Sequence, residues 1–165
     1  MKLVALFLFL LITLFSNAQT KNPFDTLKFD KAMMFDFKGG EGIDLYIVDE
    51  NGQLANSISN QIQLNQNQVK DLNNKLGNKN SYGGTTAACF DPHLGFVYYL
   101  KNEIVGHITI CLVCNRLHSS LEIPAQKQGK VSVGTDTYYT GTGLSNSFQQ
   151  FLYSLLQEYS FSHQP

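Results

Sequence analysis

The stretch CFDPHLGFVYYLKNEIVGHITICLVC, residues 89–114, decides the fold because it contains two apolar runs joined by a short polar connection. The first run ends at Leu100 and the second begins at Ile104. Strands joined by so short a connection must be antiparallel neighbours. The sequence therefore predicts a β-hairpin in the middle of the chain.

The register of this hairpin decides which side chains meet at its open end. A three-residue connection places Leu100 opposite Ile104 and Cys111 opposite His93, whereas a two-residue connection places Cys111 opposite Leu94. Directly opposed residues have Cβ atoms about 5 Å apart. Either register gathers four side chains with metal-binding chemistry, namely Cys89, His93, Cys111 and Cys114.

Zinc is the metal that this set of side chains favours. Three thiolates and an imidazole suit a tetrahedral zinc ion, and Cys111 and Cys114 have the Cys-x-x-Cys spacing of zinc sites. His118 is a rival fourth ligand, while His107 is expected to be a packing or surface histidine because it lies mid-strand. An ion with four protein ligands is structural, since catalysis needs an open coordination position.

The same cysteines allow two other interpretations. Three is an odd number, so one disulfide, for example Cys89 bonded to Cys111 or Cys114, leaves a free thiol. Cys-x-x-Cys is also the spacing of thiol–disulfide oxidoreductases, although those usually place the pair at a helix N-terminus and Cys111 is predicted to end a strand. Structural zinc, a disulfide with a free thiol and a reactive thiol pair therefore all stay open.

Residues 1–18 are predicted to be a cleaved signal peptide. Lys2 supplies a positive charge, residues 3–15 are almost wholly apolar, and Ser16 and Ala18 give the small-x-small cleavage pattern. The apolar run is shorter than the ~20 residues that span a bilayer, which favours a cleaved signal over an uncleaved anchor. We expect a secreted or periplasmic protein without stable membrane insertion after cleavage.

Composition and motifs exclude several functional classes. The formal net charge is −1 and no basic run occurs, so neither a nucleic acid nor an anionic membrane surface is an expected partner. The chain contains no His-Glu-x-x-His, no P-loop lysine motif and no nucleophile elbow. Whether the protein is an enzyme stays open, although a non-catalytic role is favoured. The expected partner is a protein or a small ligand of unknown identity.

The rest of the chain predicts a single α+β domain over residues 31–165, after a flexible lead-in at residues 19–30. Residues 33–37 are a first strand. Residues 43–48 and 53–58 are predicted to pair across the Asn51-Gly52 turn, the strongest short hairpin signal in the chain. Short strands are also expected at 131–133 and 137–140.

Two helices are expected to pack on this antiparallel sheet. The first begins after Asn65, with Gln68 completing a capping box, and ends near Gly77. The second begins after Ser145. Its apolar face is formed by Phe148, Phe151, Leu152, Leu155, Leu156 and Tyr159.

The cysteine hairpin resembles a group of small exported bacterial proteins that have no characterised activity. In that group the pattern reads Cys-Phe-x-Pro-Arg-His, then a strand, a turn and Ile-Cys-Phe-x-Cys. The similarity covers residues 89–114, but His93 follows Pro92 without the arginine, and Leu112 replaces the aromatic residue. The resemblance implies that Cys89, His93, Cys111 and Cys114 act as one unit.

These observations predict an exported protein that acts as a non-catalytic binding or interaction domain, stabilised by its Cys/His cluster through structural zinc or a disulfide. The alternative is a thiol-redox or metal-dependent enzyme that uses Cys111 and Cys114.

Overall fold

A five-stranded antiparallel sheet forms around the predicted hairpin, in the order β2-β1-β4-β5-β6. The strands are β1 (Lys31–Phe37), β2 (Ile58–Gln63), β3 (Tyr82–Gly84), β4 (Leu94–Leu100), β5 (Glu103–Cys111), β6 (Arg116–Ser119), β7 (Gln128–Val133), β8 (Asp136–Gly141) and β9 (Gly143–Leu144). The helices are α1 (Pro23–Thr26), α2 (Gln66–Gly77) and α3 (Asn146–Glu158), with a 3₁₀ turn at Lys79–Ser81. The predicted α+β class is confirmed.

The computed structural model describes residues 22–40, 44–126, 128–133 and 136–161. The signal peptide predicted over residues 1–18 lies outside these ranges. Its cleavage and the export that it implies therefore stay predictions of the sequence. Within the described ranges, no helix is long and apolar enough to cross a membrane.

The β4–β5 hairpin has a two-residue turn but not the register predicted for one, since Leu94 pairs with Ile110 and the predicted pairing of Leu94 with Cys111 is wrong. Its turn has two residues, Lys101 and Asn102, both at positive φ (52° and 69°), so Leu100 pairs with Glu103 and the predicted pairing with Ile104 is wrong. A bulge opposite the Tyr98/Tyr99 step then adds one residue to β5. From that point Leu94 pairs with Ile110, which is the register that brings His93 to Cys111.

One face of the sheet packs against α2 and α3. The buried residues of α2 include Val69, Leu72 and Leu76, and those of α3 are Phe148, Leu152, Leu155 and Leu156. Both sets belong to one core with the inward side chains of β1, β4 and β5. The periodicity and the two predicted helices are confirmed, although α2 runs through Gly77 and takes Asn78 as its C-cap.

Residues 44–57 cover the opposite face, and here the predicted strand pair is wrong. The Asn51-Gly52 turn forms, but its flanks share only an isolated bridge between Val48 and Leu54. Ile47 instead donates its backbone N–H to Thr109 Oγ1 at 3.0 Å and packs where Gly95 has no side chain. The segment therefore lies over the sheet face, and the next strand, β2, begins only at Ile58.

The predicted flexible lead-in requires a correction where the structure describes it. Phe24, in the short helix α1, is 1% exposed and belongs to the helix-side core. Asn22 donates from Nδ2 to Asn73 O at 2.9 Å, and Asn73 Nδ2 donates to Phe24 O at 3.1 Å. Burial of one aromatic ring together with these reciprocal hydrogen bonds holds residues 22–26 on α2.

Two short ribbons complete the described structure. β3 pairs with β9, with Tyr82 opposite Leu144 and Gly84 opposite Gly143. β7 pairs with β8, which confirms the strands predicted at 131–133 and 137–140. The β3–β9 ribbon matters for function because it lies against the end of the cysteine hairpin.

Candidate functional site

The turn between β5 and β6 carries the Cys-x-x-Cys motif. Cys111 is the last residue of β5 and pairs with Arg116, the first residue of β6, so residues 112–115 form the turn. Asn115 adopts a positive φ of 51°, a conformation that asparagine tolerates better than most residues. The cysteines therefore lie at a strand end and in a tight hairpin turn, and not in the first turn of a helix.

Cys111 and Cys114 form a disulfide across this turn, with their Cα atoms 5.3 Å apart. Both residues are 1% exposed, and Cys114 N lies 3.1 Å from Cys111 Sγ in a hydrogen bond. Neither bridge that the sequence offered, Cys89 to Cys111 or Cys89 to Cys114, is present. A three-residue separation suits the tight turn, and Cys89 is left as an exposed free thiol.

Asn115 connects the cysteine turn to two other segments. Its Nδ2 donates to Thr85 O at 2.9 Å and to Leu144 O at 3.1 Å, while its Oδ1 accepts from Leu144 N at 3.0 Å. Next to it, Cys114 O accepts a hydrogen bond from Ala87 N at 3.0 Å. The turn thereby holds both the β3–β9 ribbon and the start of the segment that contains Cys89.

Residues 85–91, which we call the cysteine loop, are mostly exposed between two attachments. One attachment is the Ala87–Cys114 hydrogen bond. At the other end Phe90 packs on Tyr46 with ring centroids 5.9 Å apart, and Gly39 N donates to Pro92 O at 2.8 Å. The cysteine loop is thus largely exposed to solvent and is attached to the rest of the fold at both ends.

His93 lies beside the hairpin but points elsewhere. Its backbone N–H donates to Ile110 O at 3.3 Å, as expected for a residue opposite Cys111. Its Nδ1, however, is 3.2 Å from Phe37 O, a hydrogen bond that connects the imidazole to β1. The backbone register is as predicted, whereas the ring has a structural partner.

The four predicted ligands are therefore neighbours along the hairpin end without forming one compact cluster. In the described part of the chain, no group of three or more histidine, cysteine, aspartate or glutamate side chains is arranged to hold a metal ion. Zinc bound by Cys89, His93, Cys111 and Cys114 stays a prediction of the sequence. The geometry brings together two of these side chains, Cys111 and Cys114, by a covalent bond.

Histidines 107 and 118 lie on the sheet face covered by residues 44–57. His118 pairs with Thr109 and stacks on Tyr46 at a centroid distance of 4.4 Å, and the residue as a whole is exposed. Loss of solvation lowers the pKa of His118, and the pKa of His107 is lowered by burial and then by the nearby charge of His118. Both rings are therefore favoured in their neutral form.

Asn115 and Tyr46 were missed by reasoning from sequence. An asparagine directly after Cys-x-x-Cys was a signal for a left-handed turn residue. Nothing in the sequence indicated that its amide would reach Thr85 and Leu144. Tyr46 was assigned to a strand, so its stacking between Phe90 and His118 was not expected.

The chain was compared with protein families, curated proteins and solved structures, and none of them matches it.

Proposed function

We propose that this protein is an exported, non-catalytic binding or interaction domain stabilised by the Cys111–Cys114 disulfide. The single observation that carries the proposal is the position of the bridge. It closes the turn from which Asn115 and Cys114 hold the cysteine loop. A disulfide there restricts the unfolded chain and keeps the attachment points of the loop in place.

The disulfide is preferred over zinc because the bonded sulfurs of Cys111 and Cys114 are not thiolates, and thiolates are the zinc ligands. The imidazole of His93 is also engaged with Phe37 O. An exported chain would meet an oxidising compartment, in which such a bridge persists. The resemblance of residues 89–114 to exported bacterial proteins supports the same compartment.

A structural role is preferred over redox catalysis because the bridge is closed to thiols from other molecules. Thiol–disulfide exchange requires an attacking thiolate to reach one sulfur of the bridge. Cys111 and Cys114 are each 1% exposed, so a substrate thiol has no open approach. Cys111 and Cys114 are also carried by a strand end and a turn, whereas oxidoreductases usually place the pair in the first turn of a helix.

The cysteine loop is the surface that we assign to binding. Binding residues are often found on loops held by a rigid scaffold. Residues 85–89 are exposed, and Phe90 and Tyr46 provide partly exposed aromatic area beside them. The partner class is a protein or a small ligand.

A reduction assay tests the non-catalytic part of the proposal. Dithiothreitol-driven precipitation of insulin is followed with wild-type protein, with the C111S/C114S double variant and with a known oxidoreductase as positive control. We expect wild type and variant to match the uncatalysed rate. Acceleration by wild type that the double variant lacks would establish the redox-enzyme alternative instead.

A second experiment tests whether the protein is exported and whether it contains the disulfide. The full-length chain is expressed in a bacterium, and the protein from the periplasm or medium is analysed by N-terminal sequencing and elemental analysis. The proposal expects Gln19 at the N-terminus and no stoichiometric zinc. Retention in the cytoplasm with residues 1–18 intact would contradict export, and one zinc per chain would contradict the disulfide.

A further inference from the structure

We infer that Cys89 can exchange with the disulfide, giving an alternative Cys89–Cys114 bridge and a free thiol at Cys111. The cysteine loop would then have two covalent states, one attached to its turn by a hydrogen bond and one attached by a disulfide. This inference goes beyond the proposed function, because it depends on the three cysteines and not on export or on a binding partner.

The first support is the contact between loop and turn. Ala87 N donates to Cys114 O at 3.0 Å, so the backbone of the loop already touches the residue to be attacked. Cys89 is two residues further on, a distance of at most about 7 Å along an extended chain. Bridged cysteines need Cα atoms roughly 4.4–6.8 Å apart, so the loop has to fold back over a short distance only.

The second support for the exchange is that the cysteine loop is exposed around Cys89. Residues 85–89 are exposed, and the next firm attachments are Phe90 on Tyr46 and the hydrogen bond to Pro92 O. Cys89 thus lies on a short exposed span between fixed ends. Its thiol stays close to the turn at a high effective concentration, whereas an external thiol meets a bridge whose residues are 1% exposed.

The geometry selects Cys114 over Cys111 as the new partner. On the Cys111 side, the same segment is bonded to β5 through His93, whose N–H donates to Ile110 O and which lies four residues from Cys89. Cys111 is also fixed at the end of β5 by its pairing with Arg116. Cys114 lies in the turn and is contacted by Ala87, only two residues from Cys89.

The exchange is balanced without an oxidant. Cys89 loses its proton to water, and its thiolate attacks Cys114 Sγ. The Cys89–Cys114 bond forms as the Cys111–Cys114 bond breaks. Cys111 leaves as a thiolate and takes a proton from water, so each chain keeps one disulfide and one thiol throughout.

Two single variants test the selectivity, and each serves as the control of the other. C111S and C114S lose the same native bridge, so a general loss of stability affects both. Each is reduced, freed of reductant and exposed to oxidised glutathione, which is itself reduced as a protein disulfide forms. We expect C111S to form Cys89–Cys114 at least tenfold faster than C114S forms Cys89–Cys111. In urea the two rates should become similar, since the two loops are of nearly equal length.

The wild-type protein gives a second readout. It is held at pH 6.0 or 8.5, quenched with acid, alkylated and mapped by mass spectrometry. We expect a fraction of chains with alkylated Cys111 and a Cys89–Cys114 cross-link, and this state should be reached faster at pH 8.5 because the thiolate attacks. Equal pairing rates of the two folded variants, or wild-type chains that are alkylated at Cys89 alone, would overturn the inference.

Discussion

At Asn115 a single side chain determines whether three segments stay together. N115A removes hydrogen bonds to Thr85 O, Leu144 O and Leu144 N, and it also places alanine at a positive φ. At about 1 kcal/mol for each net hydrogen bond and about 1 kcal/mol for the backbone, we expect a loss of about 3–4 kcal/mol. Urea unfolding followed by circular dichroism measures it.

Asn102 provides the matched control for this prediction. It also has a positive φ, of 69°, but it is exposed in the β4–β5 turn. N102A should therefore lose only the backbone component, about 1 kcal/mol. If the two variants are destabilised equally, the amide of Asn115 does not connect the segments as described.

Histidines 107 and 118 predict how stability depends on pH. Burial lowers the pKa of both rings below the ordinary value of 6.5, with an added contribution from His118 at His107. The folded state thus binds protons less readily than the unfolded state. Their contribution is fully present above pH 6.5 and is lost as the pH falls through the lowered values.

The comparison for this prediction is an H107Q/H118Q variant, which keeps polar side chains without the titration. We expect the unfolding free energy of wild type to fall more steeply than that of the variant between pH 7.5 and pH 5. Parallel curves would show that neither ring is held neutral by the fold. The slope is the readout, so a constant offset between the proteins does not affect the test.

At the scale of single residues, contacts between residues close together in the chain could be predicted from the sequence. Asn65 and Gln68 lie three residues apart, so their reciprocal hydrogen bonds could be predicted. The partners of Asn115 are 29 and 30 residues away and depend on the assembled fold. The Cys111–Cys114 pairing was not selected in advance, because the bend of the chain after β5 could not be read from its residues.

Among the elements, the two large helices both begin after a polar N-cap residue but differ in their hydrogen bonds. Asn65 accepts from Gln68 N at 3.0 Å and completes a capping box at α2. Ser145 makes no capping hydrogen bond at α3, and its Oγ lies 3.1 Å from Ser147 Oγ. N65A should therefore cost about 1 kcal/mol and S145A only a few tenths. Chemical denaturation of both variants checks the difference, and equal costs would contradict the assigned caps.

The pairing of β4 with β5 was predicted correctly, whereas the pairing predicted between residues 43–48 and 53–58 was wrong. β4 and β5 are joined by two residues, so their pairing was accessible from the apolar runs alone. Residues 44–57 contain an equally clear turn, in which Asp49 Oδ1 accepts from Asn51 N and Gln53 N. Their flanks nevertheless cover the sheet, because Ile47 finds Thr109 and the space at Gly95, two partners remote in sequence.

For the whole molecule, the layered architecture followed from the apolar pattern, while the candidate site followed only in part. Amphipathic helices and a hairpin with continuous apolar strands leave few arrangements other than helices on a sheet. The site depends on which cysteines bond, and that choice depends on the positions of a turn and a loop. The four predicted ligands, Cys89, His93, Cys111 and Cys114, lie at the same end of the hairpin. Of these, Cys111 and Cys114 are bonded to each other, and Cys89 is a free thiol.

Counting free thiols and zinc in one sample tests the central claim most directly. The protein is purified without added metal, and acid is added to stop thiol–disulfide exchange. It is then unfolded in denaturant without reductant and alkylated, and its intact mass and zinc content are measured. We predict one alkylated cysteine per chain, mapped mainly to Cys89, and no zinc. Three alkylated cysteines together with one zinc per chain would contradict the disulfide-closed turn.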